Sequence, residues 1–413
     1  MEIDLTDPGL WERNEFGEVL AWLRANEPVY RHEERGGPGF WVLTRYADIV
    51  HVYGDDELFS SRFGMRLDSN PEAVAAVQGR MLIVTDPPTH TRIRQLVGTG
   101  LGRAAMPRIE AAVRRVVSGV VADAVEQGEL DFLDAAKKIP NFVVCDLMGL
   151  PREHWEWVGD TMTESFDATD EDKVAADGEL FLLFTELLMD RRENPGDDFI
   201  SIVAQARRKD RGGTERQLTD EEIIVNCHGV LAGANETTRY VMSAGLLELA
   251  RAPEHLEWLR TAGSAGIATA VEEMLRWATP AVHVLRTVTR DTEIGGVRIA
   301  AGDRVTAWNP AANHDESVFA DPDRFRPDRT PNKHLAFGIG QHFCIGARLG
   351  RLELAAFLRE LLSTVDRIEL TGAPRYNSSN FTWGLVELPV RLVPKVSCVD
   401  DYERADSALG VET

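Results

Sequence analysis

The sequence predicts a mainly helical chain with small, segregated β-sheets, an α+β arrangement. Helical spacing of apolar residues dominates from Met106 to about Leu361, as in "RIEAAVRRVVSGVVADAVEQG" and "GELFLLFTELLMDRREN". The segment "TDEEIIVNCHGVLAGANETTRYVMSAGLLELAR" meets no proline until Pro253. It opens on Thr219 followed by Glu222, the spacing of a capping box, and so reads as one long central helix. Strand signals are short and lie outside this helical stretch.

Taken in order, "GFWVLT" (Gly39 to Thr44) is a strand and "RYADIVHVYGD" an amphipathic helix ending near Gly54. "DPPTHTRIRQLV" starts a helix with prolines in its first turn. Beyond the central helix, "VLRTVTRDTEIGGVRIAAGDRVTAW" alternates about Gly295 and Gly296 as a hairpin does, and "GLVELPVRLV" reads as another. With no internal repeat or low-complexity linker, residues 1–395 are expected to form one unit, and the acidic stretch 396–413 a disordered tail.

Hydrophobic residues at 44% and charged residues at 27% are the balance of a globular protein. A formal charge of -22 disfavours nucleic acid or an anionic membrane as partner, because phosphate binding needs a basic field. No run approaches the roughly 20 apolar residues of a membrane span, and no leader pattern opens the chain, so a cytoplasmic location is expected. Cys145, Cys227, Cys344 and Cys398 lack the paired spacing of a disulfide framework or zinc site. Any special cysteine acts alone.

In "HLAFGIGQHFCIGARLGRLELAAFLREL", Cys344 falls between a glycine-bearing loop and the start of a helix. A helix N-terminus favours a thiolate by only about 0.3–1 kcal/mol, less than one pKa unit. A bound iron would deprotonate the thiol outright. Glycines at 338, 340 and 346 would let backbone amides approach the sulfur, and Phe337 would shield one side.

The segment resembles the haem-binding signature F-G-x-G-x-H-x-C-x-G of the cytochrome P-450 family, met at Phe337, Gly338, Gly340, His342, Cys344 and Gly346. "VEEMLRW" resembles the family's E-x-x-R element, with Glu273 and Arg276 on one helix face. The resemblance implies that this pair anchors the cysteine loop through an arginine of "PDRFRPDR", Arg324 or Arg326. It extends to an H-x-x-x-R pair, His90 and Arg94, and to Arg286, which with His342 would hold the two haem propionates. Gly233, Ala234, Asn235, Glu236, Thr237 and Thr238 resemble the oxygen-activation element, with Ala234 where glycine is usual. Thr237 can bond the carbonyl of Gly233 and loosen that turn.

The resemblance implies a triangular helical fold with a smaller β-rich lobe, haem b ligated by Cys344, dioxygen as co-substrate, and proton delivery by Glu236 and Thr237. It implies a monooxygenase oxidising a small organic molecule, of the kind met in bacterial secondary metabolism and antibiotic biosynthesis. With no reductase module in the chain, NAD(P)H electrons would come through a ferredoxin and ferredoxin reductase, docked near Arg103, Arg108, Arg348 and Arg351. Pocket walls would be Met81, Leu82, Phe166, Val230, Ala281, Val282, His283, Val284, Phe381 and Thr382. A carrier-protein-tethered amino or acyl substrate, met by His283, Arg62 and Arg66, is the alternative. Haem-thiolate dehydratases, isomerases, peroxygenases and sensors are rivals that do not need the pair Glu236 and Thr237.

Overall fold

A computed structural model describes residues 3–34, 36–167, 170–209 and 212–395, leaving aside the side chains of 164–174. The stretch 396–413, with Cys398, lies outside the described residues. The helices that matter for the site are α1 (Thr89–Val97), α2 (Met106–Gln127), α3 (Trp155–Asp167), α4 (Asp170–Glu193), α5 (Asp220–Arg251), α6 (Pro253–Ala278) and α7 (Ala347–Thr364).

Helix α5 is the central element. Its capping box closes as expected: Glu222 N donates to Thr219 Oγ1 at 3.2 Å and Thr219 N donates to Glu222 Oε2 at 3.0 Å. Asp220, Glu221 and Glu222 add negative charge at the positive end of the helix dipole. The helix runs unbroken to Arg251, so the bond from Thr237 Oγ1 to Gly233 O, 2.8 Å, is accommodated without interrupting it. Helices α6 and α7 pack on α5 and α2 packs on α7, and their buried side chains join one large apolar core that includes Val113, Val117, Leu246, Met274 and Phe357. Their burial is what fixes α5 in the middle of the molecule.

The β-rich part is a five-stranded sheet in the order Val29–His32, Phe40–Leu43, Arg304–Trp308, His283–Val288, Phe59–Ser60. Its faces bury separate apolar clusters, one around Trp11, Phe40 and Trp308, the other around Ile49, Phe59 and Val305. The hairpin about Gly295 and Gly296 forms as expected, both glycines at positive φ. "GLVELPVRLV" does not fold as a hairpin. Leu385–Glu387 pairs with Arg375–Tyr376, whereas Pro389–Pro394 lies between Val365–Leu370 and Glu129–Asp131. Alternation marks a strand but carries no information about its partner.

Candidate haem-thiolate site

The cysteine loop is built by its glycines. Gly338 and Gly340 sit at φ +62° and +73°, and a Cβ on Gly340 would fall 2.3 Å from the carbonyl oxygen of Tyr53. Cys344 N donates to Phe337 O at 2.9 Å, and the amides of Gly346 and Ala347, opening α7, donate to the sulfur. Burial nevertheless pushes the thiol up, against those amides and the charges of Arg94 and Arg351. The fold alone does not ionise it. Cys145 and Cys227 are sealed in the core and likewise pushed up by burial, which leaves them inert.

Beside the loop, α1 and the sheet bring His90, Arg94, Arg286 and His342 together. The His90 and His342 rings lie 4.2 Å apart. Neither nitrogen of His90, a fully buried residue, has a hydrogen-bond partner among the described residues. Burial, then Arg94, hold His90 down to about 4, and burial followed by Arg286, His90 and Arg94 holds His342 down to about 2. Arg94 and Arg286 are themselves lowered by burial. Two buried arginines that hold two neighbouring histidines neutral suit an anionic ligand. His342 Nε2 meets Ser61 Oγ at 3.1 Å, a partner with no signal in the sequence.

The E-x-x-R pair forms, fully sealed from solvent. Arg276 donates from Nε and a terminal nitrogen to the two oxygens of Glu273, each at 2.8 Å. The third member is neither of the expected arginines. Arg329 supplies it, its Nε 3.0 Å from Glu273 Oε2, while Arg326 contributes only its backbone N–H, 2.9 Å from Oε1, and Arg324 only its carbonyl. The side chain of Arg326 turns outward to Asp328. Asn332 Nδ2 adds a further bond to Glu273 at 3.0 Å.

On α5, Glu236 is buried and ion-paired with Arg239, one turn along the same helix. Thr163 Oγ1 of α3 reaches its other oxygen at 3.4 Å, and Tyr240 also hydrogen-bonds the carboxylate. Arg239 and Tyr240 were legible only as neighbours of the motif. Behind them Thr238 bonds Glu353 of α7, a buried carboxyl that burial pushes up to about 8.

The expected pocket walls divide. Met81 and Leu82 lie on α5: Leu82 N donates to Asn226 Oδ1 at 2.8 Å, and the tip of Met81 comes 2.9 Å from where a Cβ of Gly229 would stand. Val230 and Val284 are half-buried, and Ala281 bridges to Thr382 next to the half-buried Phe381. Val282 is a core residue, in the cluster with Trp11 and Trp308. His283 is corrected as an anion partner. It is fully buried, Nδ1 bonds Asn380 O at 2.7 Å and Nε2 accepts from Leu67 N at 3.2 Å, so no position remains for a carboxylate. Arg66 pairs with Asp68, and the exposed Arg62 lies over the Phe63 ring. The Phe166 side chain lies outside the described residues.

A loop presenting one cysteine near a cluster of basic side chains, with a long helix bearing a buried acid followed by an alcohol, is the arrangement expected of a haem-thiolate oxygenase. The comparisons agree. The Cytochrome P450 family model matches residues 161–262 and 267–388, more than half of the chain. The chain is 36% identical to Cytochrome P450 NovI of Streptomyces niveus, covering 95% of this chain and 96% of that protein. It is also 36% identical to Linalool 8-monooxygenase of Pseudomonas putida, covering 95% and 99%. The solved structure of P450 OxyD, involved in the biosynthesis of vancomycin-type antibiotics, superposes with a TM-score of 0.85 at 34% identity, covering 95% of this chain and all of that one.

The chain belongs to the cytochrome P450 family. It is a monooxygenase of the haem-thiolate class, using dioxygen and NAD(P)H-derived electrons passed on by redox partners. Among the described residues no helix is long and apolar enough to cross a membrane.

Proposed function

We propose that Cys344 is the iron ligand, that His90, Arg94, Arg286 and His342 hold the two haem propionates, and that Glu236 and Thr237 supply protons. The observation that carries this reading is His90, buried with both nitrogens unpartnered beside the positive charges of Arg94 and Arg286. A dianionic cofactor would offset the charges of the two arginines and give His90 an acceptor for its ring N–H. Phe337, Gly338 and Gly346 shape the loop around the sulfur, and Ala234 lies within the turn Gly233–Thr237 of α5. When bound, the haem supplies the activation of dioxygen and the transfer of one oxygen atom to substrate.

The residues do the rest. Glu236, held in the interior by Arg239, Tyr240 and Thr163, directly precedes Thr237 along α5. The two groups move protons from that interior toward the face of α5 that carries Thr237. Half-buried Met81, Leu82, Val230, Val284 and Phe381 offer a mainly apolar wall, which fits a small organic substrate of secondary metabolism. Electrons come from a separate ferredoxin and its reductase. Arg103 and Arg348 are exposed for such a partner, whereas Arg108 is bonded to the carbonyls of Asp146 and Leu147, and Arg351 to Glu272.

A carrier-protein-tethered substrate is the second reading. The solved structure of P450BioI with an acyl carrier protein superposes at TM-score 0.82, 27% identical, covering 92% of this chain and 99% of that one. The exposed Arg62 is a contact for a tether phosphate. The test is a screen of free compounds against carrier-bound ones for a substrate-induced Soret shift. A shift with neither class, in a protein whose ferrous carbon monoxide complex shows the thiolate band, refutes the pocket assignment.

A further inference from the structure

A closed ring of contacts through Glu272, the neighbour of Glu273, ties the cysteine loop to α6 and α7. Ala336 N donates to Nδ1 of His334 at 3.2 Å, so the ring proton of the neutral imidazole sits on Nε2, which donates to Glu272 Oε2 at 3.0 Å. Glu272 in turn receives Arg351 through two bonds, Nε to Oε1 at 2.6 Å and a terminal nitrogen to Oε2 at 2.9 Å. The guanidinium of Arg351 then lies over the ring of Phe337, 4.6 Å from its centroid. Phe337 follows Ala336, where the circuit began, and its carbonyl accepts from Cys344 N.

Each contact constrains the next. The two-point bond to Glu272 fixes the plane of the guanidinium, and the guanidinium fixes Phe337 from one face. On the other side the ring meets α7, where a Cβ on Gly350 would come 3.8 Å from it. His334 is almost fully buried, and despite its own burial Glu272 is held down to about 2 by the hydrogen bonds from His334 and Arg351. The circuit thus keeps a full negative and a full positive charge at fixed positions behind the loop. The guanidinium of Arg351 stands over Phe337, whose carbonyl accepts the amide of Cys344, and Glu272 stands behind it as its ion-pair partner.

We infer that Arg351 and Glu272, oriented by His334, are positioning residues that set the electron affinity of the thiolate-bound cofactor through their charges and through Phe337. This rests on Cys344 being the ligand. A cation near the sulfur favours the more electron-rich state and an anion opposes it. The two partners of one ion pair therefore act with opposite signs. A purely mechanical role would move both variants alike, since either substitution opens the same circuit.

The experiment is a spectroelectrochemical titration of the haem-loaded protein, wild type, Arg351→Gln, Glu272→Gln, the double variant and Arg351→Lys, with the ferrous carbon monoxide spectrum of each. Arg351→Gln lowers the ferrous to ferric ratio at a fixed potential about threefold to tenfold, and Glu272→Gln raises it by a similar factor. The double variant and Arg351→Lys return toward wild type. Ratios unchanged in both single variants, or moved in the same direction, overturn the inference while a red-shifted thiolate band leaves the ligand assignment standing. A wild type without that band overturns both. Should Arg351→Gln fail to hold haem, Glu272→Gln and Arg351→Lys still decide the sign.

Discussion

The Nε of Arg329 lies 3.0 Å from Oε2 of Glu273, with both side chains shut off from solvent. Removing one partner from such a buried pair leaves an uncompensated charge, so Arg329→Met is expected to cost roughly 3–5 kcal/mol of stability. Arg326 reaches Glu273 only through its backbone, which survives truncation, and Arg326→Ala should stay within about 0.5 kcal/mol of wild type. Urea denaturation midpoints of the two variants decide between them; equal losses would remove Arg329 from the anchor.

Thr237→Ala takes away a hydroxyl placed one turn above the carbonyl of Gly233. The variant should consume NAD(P)H at a comparable rate but release more of the electrons as hydrogen peroxide, severalfold per product formed. Thr237→Ser, which keeps the hydroxyl, should recover most of the coupling. Peroxide and product assayed in the same turnover mixture test this, and an unaltered ratio in the alanine variant discards the proton-delivery role.

His283 carries a pH dependence of stability. Burial lowers its folded value to about 4 from the ordinary 6.5. The unfolded chain therefore binds the extra proton first, and the neutral form's contribution, present above about pH 6.5, is lost as pH falls toward 4. The span corresponds to about 3 kcal/mol at most. His283→Gln should be less stable at pH 7 yet show a shallower decline between pH 6.5 and 4. Parallel pH profiles for the two proteins would rule out His283 as a source of the slope.

Arg348 is largely exposed, its nearest carboxylate, Glu110, being 4.0 Å away. Reversing it with Arg348→Glu should raise the ferredoxin concentration needed for half-maximal turnover severalfold at low salt, with a smaller effect at high salt. Turnover with saturating ferredoxin should be little changed. A variant indistinguishable from wild type at low ionic strength would place the docking face elsewhere.

Much of the site was legible because its parts are local. The Thr219 capping box, the glycine-bearing turn before Cys344 and the bond from Thr237 to Gly233 each lie within a few residues, where spacing determines geometry. The misses all involve distance along the chain. Three arginines crowd "PDRFRPDR", and which one enters the interior depends on the turn in which Arg329 N bonds Arg326 O. His283 reads as a pocket residue free to meet an anion until Asn380 and Leu67 close on both nitrogens.

Sequence alone was enough to determine the helical dominance, the long central helix and the cysteine loop, because hydrophobic period, caps and positive-φ glycines are encoded residue by residue, and the motifs around Cys344, Glu273 and Glu236 carried the resemblance to the family. The tertiary structure decided which charges are sealed and which are spent. Arg351, unpaired as read along the chain, is bound to Glu272 from α6, and Glu236 is committed to Arg239 and Thr163. Such pairings follow from how helices pack against one another. Burial makes an unmet charge costly, so each buried one must find its partner wherever the fold happens to bring it.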